Sequence, residues 1–357
     1  MIKRFFRCAL CALLLLGLTG CGGPGGAASH SVFETPLFTI PAEETEPLAY
    51  NYLTGLYDLA EDRVGMRPFA VSVNNNYASW PQYGVSQADI VVEIETEGGI
   101  TRLMALYSDP SGIGYIGSVR SLRHQFIQAV GQWNPIITHI GTSTVADEWL
   151  WSCGITTLNG YYTEDFLYVD KVRMETYASE HCKFTENDLL YAGCETLGID
   201  TALSGEMAPA FHFTTDTENK IIPGTGEANK VTFEFSGLYD GELRYQPLNQ
   251  KYYKWQDGQP QIDAGNGDAQ MCFDNCILLL AYIGGIGNTE LVDVDYTGGG
   301  EGYYFSQGRY EHITWNKPSW DADFEFIKDD GTELVLNTGT TYLAVIRDYF
   351  DDTVVIE

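Results

Sequence analysis

Between residues 67 and about 205, short apolar runs with strand character alternate with amphipathic stretches at helical spacing. The runs at 69–74, 89–97, 100–107 and 135–141 read as strands, and those at 120–132, 144–152 and 186–198 as helices. From Leu122 to Trp133 the apolar residues Leu122, Phe126, Ala129, Val130 and Trp133 fall on one helical stripe. Beyond about residue 210 a period of two takes over. Val231-Thr232-Phe233-Glu234-Phe235 alternates, as do segments near 289–296, 302–314 and 341–347, divided by Gly-rich turns. The pattern predicts an α/β domain over 67–208 followed by a β-rich domain over 209–357, with no internal repeat and no heptad run.

One hairpin can be given a register. Gly98-Gly99 reads as a two-residue turn of the kind that tolerates positive φ. That turn opposes Glu97 to Ile100, Glu95 to Arg102 and Glu93 to Met104, and on the other face Thr96 to Thr101, Ile94 to Leu103, Val92 to Ala105 and Ile90 to Tyr107. One face is then mainly apolar, and the other carries three glutamates around one arginine.

The N-terminus changes the setting. Met1-Ile2-Lys3-Arg4, an apolar core around Leu13 to Leu16, and Leu18-Thr19-Gly20-Cys21 describe an export signal over residues 1–20. The apolar run is too short to span a bilayer. Leu-Thr-Gly-Cys matches a lipobox, which predicts acylation of Cys21, anchoring to the cell membrane and an extracytoplasmic location. Residues 21–66, rich in Gly, Ala and Ser and then punctuated by Pro36, Pro41 and Pro47, read as a tether, with ordered structure starting near Arg67-Pro68. Five cysteines follow: Cys153, Cys182, Cys194, Cys272 and Cys276. An odd number leaves at least one thiol unpaired, so the chain is no disulfide scaffold. Cys272 and Cys276, four apart, could meet on a helix or bind metal with other ligands.

A net charge of −29, from 20 Lys+Arg against 49 Asp+Glu, excludes a nucleic-acid partner, because phosphate contacts need a basic face. The few basic side chains between 67 and 170 therefore stand out: Arg67, Arg102, Arg120 and Arg123, with no lysine. Gly117-Ser118-Val119-Arg120-Ser121-Leu122-Arg123 leads a Gly/Ser turn into the predicted helix, and guanidiniums there suit a carboxylate or phosphate. The same arginines could instead neutralise Glu93, Glu95 and Glu97 in a structural ion-pair network. His139 ends a buried strand, where α/β proteins tend to place ligand sites, or is a hydrogen-bonded core histidine. Thr144 with Asp147 fits a capping box for the following helix. His181 beside Cys182 offers a thiol–imidazole pair. Ser143 lacks the Gly-x-Ser-x-Gly setting of a nucleophile elbow, Asp321, Asp323, Asp329 and Asp330 lack EF-hand spacing, and Gly298 to Gly302 lies between strand-like runs. No zinc pattern and no cofactor motif is present in the sequence.

Several of these stretches carry a family likeness: Arg67-Pro68 with Val71 and Asn74; Trp80-Pro81-Gln82; Ser86 to Val91 with Glu93; Glu97-Gly98-Gly99-Ile100-Thr101-Arg102; Ile116 to Ser121; His139-Ile140-Gly141; and, later, Gly298 to Gly308, Thr314-Trp315 and Leu334 to Leu343. Through them the chain resembles the YerB-like bacterial lipoproteins, a family with two domains of unknown function. The resemblance implies a layered α/β (α+β) fold, a sheet–sheet–helix sandwich in the cell envelope, and no activity to inherit. The family tends to carry Arg-Pro-Gln where Trp80-Pro81-Gln82 stands here, His-Gly-Gly where Ile140 and Thr142 flank Gly141, and His-Asn at His181-Cys182.

The leading expectation is a tethered binding module in which Arg102, Arg120, Arg123, Glu93, Glu95, Glu97, His139, Ser118 and Ser121 line a pocket for a small anion or acidic envelope fragment. The alternatives are an envelope hydrolase using a glutamate and His139 in acid–base roles, and a membrane-anchored scaffold for protein partners.

Overall fold

The computed structural model describes residues 48–205, 209–217 and 219–357. The export signal, Cys21 and the tether up to residue 47 lie outside the described residues. Residues 48–66, expected as tether, are packed. Ala49–Tyr50 pairs with Tyr57–Leu59, Leu53 and Asn51 are buried, and Asn51 Nδ2 donates to Ser108 Oγ at 2.9 Å. Leu53 and Leu59 supply apolar anchors that the Pro and Gly punctuation upstream conceals.

A twelve-stranded sheet organises the molecule. Its strands run in the order 226–227, 309–316, 300–306, 275–285, 341–347, 90–95, 101–107, 69–74, 136–139 and 158–159; 292–295 adds to 275–285, and 325–328 to 309–316. The first and second segments of the sequence meet inside this sheet. Thr341–Arg347 lies parallel to Ile90–Glu95, with Thr341 opposite Ile90, Leu343 opposite Val92 and Val345 opposite Ile94. Both strands are buried along nearly their whole length, as a strand covered on both faces must be.

Two layers cover the sheet. On one face, a six-stranded sheet built on 230–236, 239–246 and 251–256 brings Phe233, Phe235 and Leu243 against Val91, Leu103 and Ala105. On the other, helix α1 (His124–Val130) brings Phe126, Ile127 and Val130 against Ile90, Val92 and Met104, and α2 (Thr144–Cys153) adds Ala146. The result is the sheet–sheet–helix layering, with a β-rich second segment. Strand 230–236 alternates buried and half-exposed residues, the period-two signal that identified it.

The elements follow the sequence closely except where neighbours compete for the backbone. Residues 120–123, expected in the first helix, are extended, because Val119 N–H donates to Lys183 O, Arg120 N–H to Ser72 O and Leu122 N–H to Gly141 O. Helix α1 therefore starts only at His124, and all seven of its residues are buried. The cap of α2 is Ser143, whose hydroxyl accepts from Ala146 N–H, and not Thr144; Thr142 Oγ1 bonds Asp147. Helix α3 spans Asn187–Leu197. The 302–314 run is two strands, Gly300–Ser306 and Arg309–Asn316, turned at Gln307-Gly308, both at positive φ. Gly298 and Gly299 connect Val292–Asp295 to Gly300–Ser306.

Candidate functional site

The register of the 90–107 hairpin decides which charges meet. Ile94 lies opposite Arg102, Glu93 opposite Leu103 and Glu95 opposite Thr101, one residue away from the expected pairing. The turn is longer than two residues. Glu97-Gly98-Gly99 forms a 3-10 turn with Gly98 and Gly99 at φ 70° and 74°, closed by Thr96 N–H on Ile100 O at 2.7 Å. A one-residue slip exchanges the two faces of one strand relative to the other. Arg102 therefore shares the helix-side face with Ile94 and Met104, while Glu93 shares the sheet–sheet face with Thr101 and Leu103. The expected face of three glutamates around one arginine does not form.

On the helix side, Arg102 and Arg123 converge on Glu97. Arg123 grips the carboxylate with two nitrogens, Nε at 2.7 Å and Nη2 at 2.5 Å, while Arg102 Nη2 reaches it at 3.3 Å. Arg102 Nη1 donates to Ser121 O at 2.6 Å, and its buried Nε has no partner among the described residues. Arg120 stands beside them with a third of its side chain exposed, 3.2 Å from Glu180. Burial, and next the charge of Arg123, lowers the Arg102 guanidinium to about 9. Burial alone would raise the Glu97 carboxyl, but the bonds from Arg123 and the charges of Arg102 and Arg123 outweigh it and hold it at about 2. Three guanidiniums thus share two carboxylates. Ser118, buried nearby in sequence, has its hydroxyl without a partner among the described residues.

Glu93 belongs to a different, sealed network between the two sheets. Its carboxylate accepts from Asn75 Nδ2 at 2.9 Å, Thr101 Oγ1 at 2.6 Å and the Tyr342 hydroxyl at 2.7 Å, and it pairs with Lys254 Nζ at 2.9 Å. The side chains of Glu93 and Lys254 are 0% and 1% exposed, so no ligand reaches them without parting the sheets. Asn75 in turn accepts from Trp80 Nε1 and Gln82 Nε2 through its side-chain oxygen, which draws the Trp80-Pro81-Gln82 motif into the same network. Glu95 is held by Arg347 through two bonds, at 2.8 and 2.9 Å. Lys254, Arg347 and Tyr342 escaped the sequence reading, because nothing local to them marks a partner so distant along the chain.

His139 is also structural. Its Nδ1 lies 2.9 Å from Gly141 O and its Nε2 2.8 Å from Thr157 Oγ1. A carbonyl only accepts, so Nδ1 carries the proton and Nε2 accepts from the hydroxyl, which leaves a neutral ring with both nitrogens engaged. Burial lowers its pKa to about 4. The hydrolase reading loses its base here. His181 Nδ1 bonds Asn74 Nδ2, and Cys182 Sγ donates to Ala178 O, so the two are not a catalytic pair. Cys272 and Cys276 sit on strands, not a helix, and all five described cysteines are free thiols. Arg67 clamps the carbonyls of Asn134, Pro135 and Asp200. Among the described residues no group of three or more His, Cys, Asp or Glu is placed to hold a metal, and no helix is long and apolar enough to cross a membrane.

Comparison with known proteins places the fold. Residues 53–200 match the N-terminal domain, and residues 231–343 the C-terminal domain, of a family described as a protein of unknown function (DUF3048). YerB of Bacillus subtilis (strain 168), named as a candidate lipoprotein, is 27% identical over 286 residues, covering 79% of this chain and 82% of that protein. The crystal structure of the YerB protein from Bacillus subtilis superposes with a TM-score of 0.74 at 25% identity, over 86% of this chain and 99% of that one. Two matched domains in the same order, together with a shared fold over nearly all of that structure, lead to one conclusion: the chain belongs to the YerB-like family.

Proposed function

We propose that this protein is a lipid-anchored envelope protein that binds a small anion at Arg102, Arg120 and Arg123. One observation carries the reading: in a chain of net charge −29, three guanidiniums gather around only two carboxylates, and the buried Arg102 keeps an Nε with no partner among the described residues. Arg120, a third exposed, is the solvent-facing member, and Arg123 and Arg102 are more deeply buried. Guanidiniums present paired donors that match carboxylate or phosphate geometry. The acidic surroundings repel large polyanions and leave the local positive field to a small one. Ser121 lends its carbonyl to Arg102 and so positions the guanidinium. The anchor is supported by the Leu18-Thr19-Gly20-Cys21 lipobox and by the naming of the Bacillus subtilis relative.

Calorimetric titration with inorganic phosphate and with succinate tests the site. A saturable heat that Arg120→Ala abolishes supports it, and binding unchanged in that variant rejects it. Incorporation of labelled palmitate in cells, lost in Cys21→Ser, tests the anchor; label retained in that variant rejects Cys21 as the lipidated residue.

A further inference from the structure

A cleft of about 730 Å³ opens on the helix side of the large sheet, and its lining differs in charge from the arginine cluster. His124 and Gln128 of α1 and Trp149 of α2 form one wall; Tyr282, Asp293 and Asp295 form the other. The sequence makes this wall directly. Val292-Asp293-Val294-Asp295 alternates buried and exposed, so both valines enter the core and both carboxylates stand on the opposite side. Gly285 and Gly287 also line the cleft, and neither has an atom within 4 Å of the place a Cβ would take, which keeps that edge open.

The polar groups are incompletely matched. His124 is buried, with an imidazole 1% exposed; its Nε2 lies 2.8 Å from Asp293 Oδ1, and its Nδ1 has no partner among the described residues. Asp293 remains 58% exposed. Asp295 accepts only from its own turn, from Thr297 Oγ1 at 2.9 Å and Gly298 N–H at 3.0 Å. Among the described residues neither aspartate has a lysine or arginine partner, and no lysine or arginine lines the cleft. Aromatic faces complete it. The Trp149 ring stacks on the His124 imidazole with centroids 6.5 Å apart, and Tyr282 is 64% exposed.

We propose that this cleft binds a small organic cation, a protonated amine or quaternary ammonium group, with Asp293 and Asp295 balancing its charge and Trp149 and Tyr282 supplying the aromatic faces. Cations are drawn to aromatic faces by the ring quadrupole, and carboxylates without a lysine or arginine partner add a favourable field inside a concave site. A metal ion is disfavoured because no three His, Cys, Asp or Glu side chains converge among the described residues. A neutral polyhydroxylated ligand would leave the two carboxylates unbalanced. The site is independent of the proposed anion site, since none of Arg102, Arg120 or Arg123 lines the cleft.

Calorimetry on the full chain with 1,6-diaminohexane and with choline tests the proposal, using 1,6-hexanediol and magnesium chloride at matched ionic strength as comparisons. Saturable binding of the amines is expected, weakened at least 10-fold by Asp293→Asn, by Asp295→Asn and by Trp149→Ala, and unchanged by Arg120→Ala. Asp293 and Asp295 are solvent-exposed, so their asparagine variants fold, as a thermal melt verifies. No heat with any amine at millimolar concentration overturns the proposal. So does affinity unchanged in the aspartate variants, or equal binding of hexanediol or magnesium. Failure of this site leaves the arginine site untouched, and the Arg120→Ala titration with phosphate fails or succeeds separately.

Discussion

The two faces of the 90–107 hairpin both bury charge, and they bury it differently. On the sheet–sheet side, Glu93 meets one cation, Lys254, and three hydrogen-bond donors, with both partners of the ion pair at most 1% exposed. On the helix side, Arg102 and Arg123 share the single carboxylate of Glu97, which is 26% exposed, and Arg120 opens the group to solvent. The first arrangement is balanced and closed. The second carries surplus positive charge and is partly open to solvent at Arg120. Buried ionisable groups mark structure as readily as function, so burial alone does not identify a site. The balance of charge and the exposure of Arg120 separate the two arrangements.

The largest test strikes the closed side. Lys254→Met strands the Glu93 carboxylate in the core and is expected to cost about 3–5 kcal/mol in urea unfolding, most of it recovered in the double variant Glu93→Gln/Lys254→Met. A loss under about 1 kcal/mol would show that the pair is not held as described.

Acidification gives two further tests, in separate windows. His139 has a folded pKa of about 4 against an ordinary 6.5, so folding favours the neutral ring. Its contribution, about 3 kcal/mol, is full above pH 6.5 and lost as the pH falls through 4. The measurement is the difference in unfolding free energy between wild type and His139→Asn across that window, because Asp89, raised to about 6 by burial, titrates in the same range with the opposite sign. Glu97, held at about 2 against an ordinary 4.5, contributes above pH 4.5 and loses that contribution as the pH falls through 2. Partial exposure reduces its size to about 2 kcal/mol, and Glu97→Gln removes this slope while leaving the His139 window intact.

The smallest effect on stability is the most telling. Arg120→Ala should shift the unfolding free energy by less than about 1 kcal/mol, as for a partly exposed ion pair, while abolishing phosphate binding. A large stability loss would move Arg120 to the structural class occupied by Lys254.

Much of the fold was legible in the chain. Strands 69–74 and 341–347 coincide with their apolar runs, and α2 and α3 match their expected spans to within a residue. The charge cluster was legible only in part. Of the residues expected to line one pocket, Arg102, Arg123 and Glu97 are in contact with Arg120 beside them, whereas Glu93, Glu95 and His139 belong to other networks. The Gly98-Gly99 pair suits a two-residue turn and a longer one equally, and a difference of one residue sent Arg102 and Glu93 to opposite faces.

Local alternation, turn residues and the scarcity of basic side chains determined which segments become strands and helices and which arginines deserve notice. These are properties of close neighbours, so the linear order suffices. Which charges actually touch was decided by strand order and register, which set Lys254 against Glu93 and Arg347 against Glu95, and lined one cleft with His124 and Asp293. Those pairings join residues far apart in the chain, and their energies exist only once the packed layers have removed the competing water.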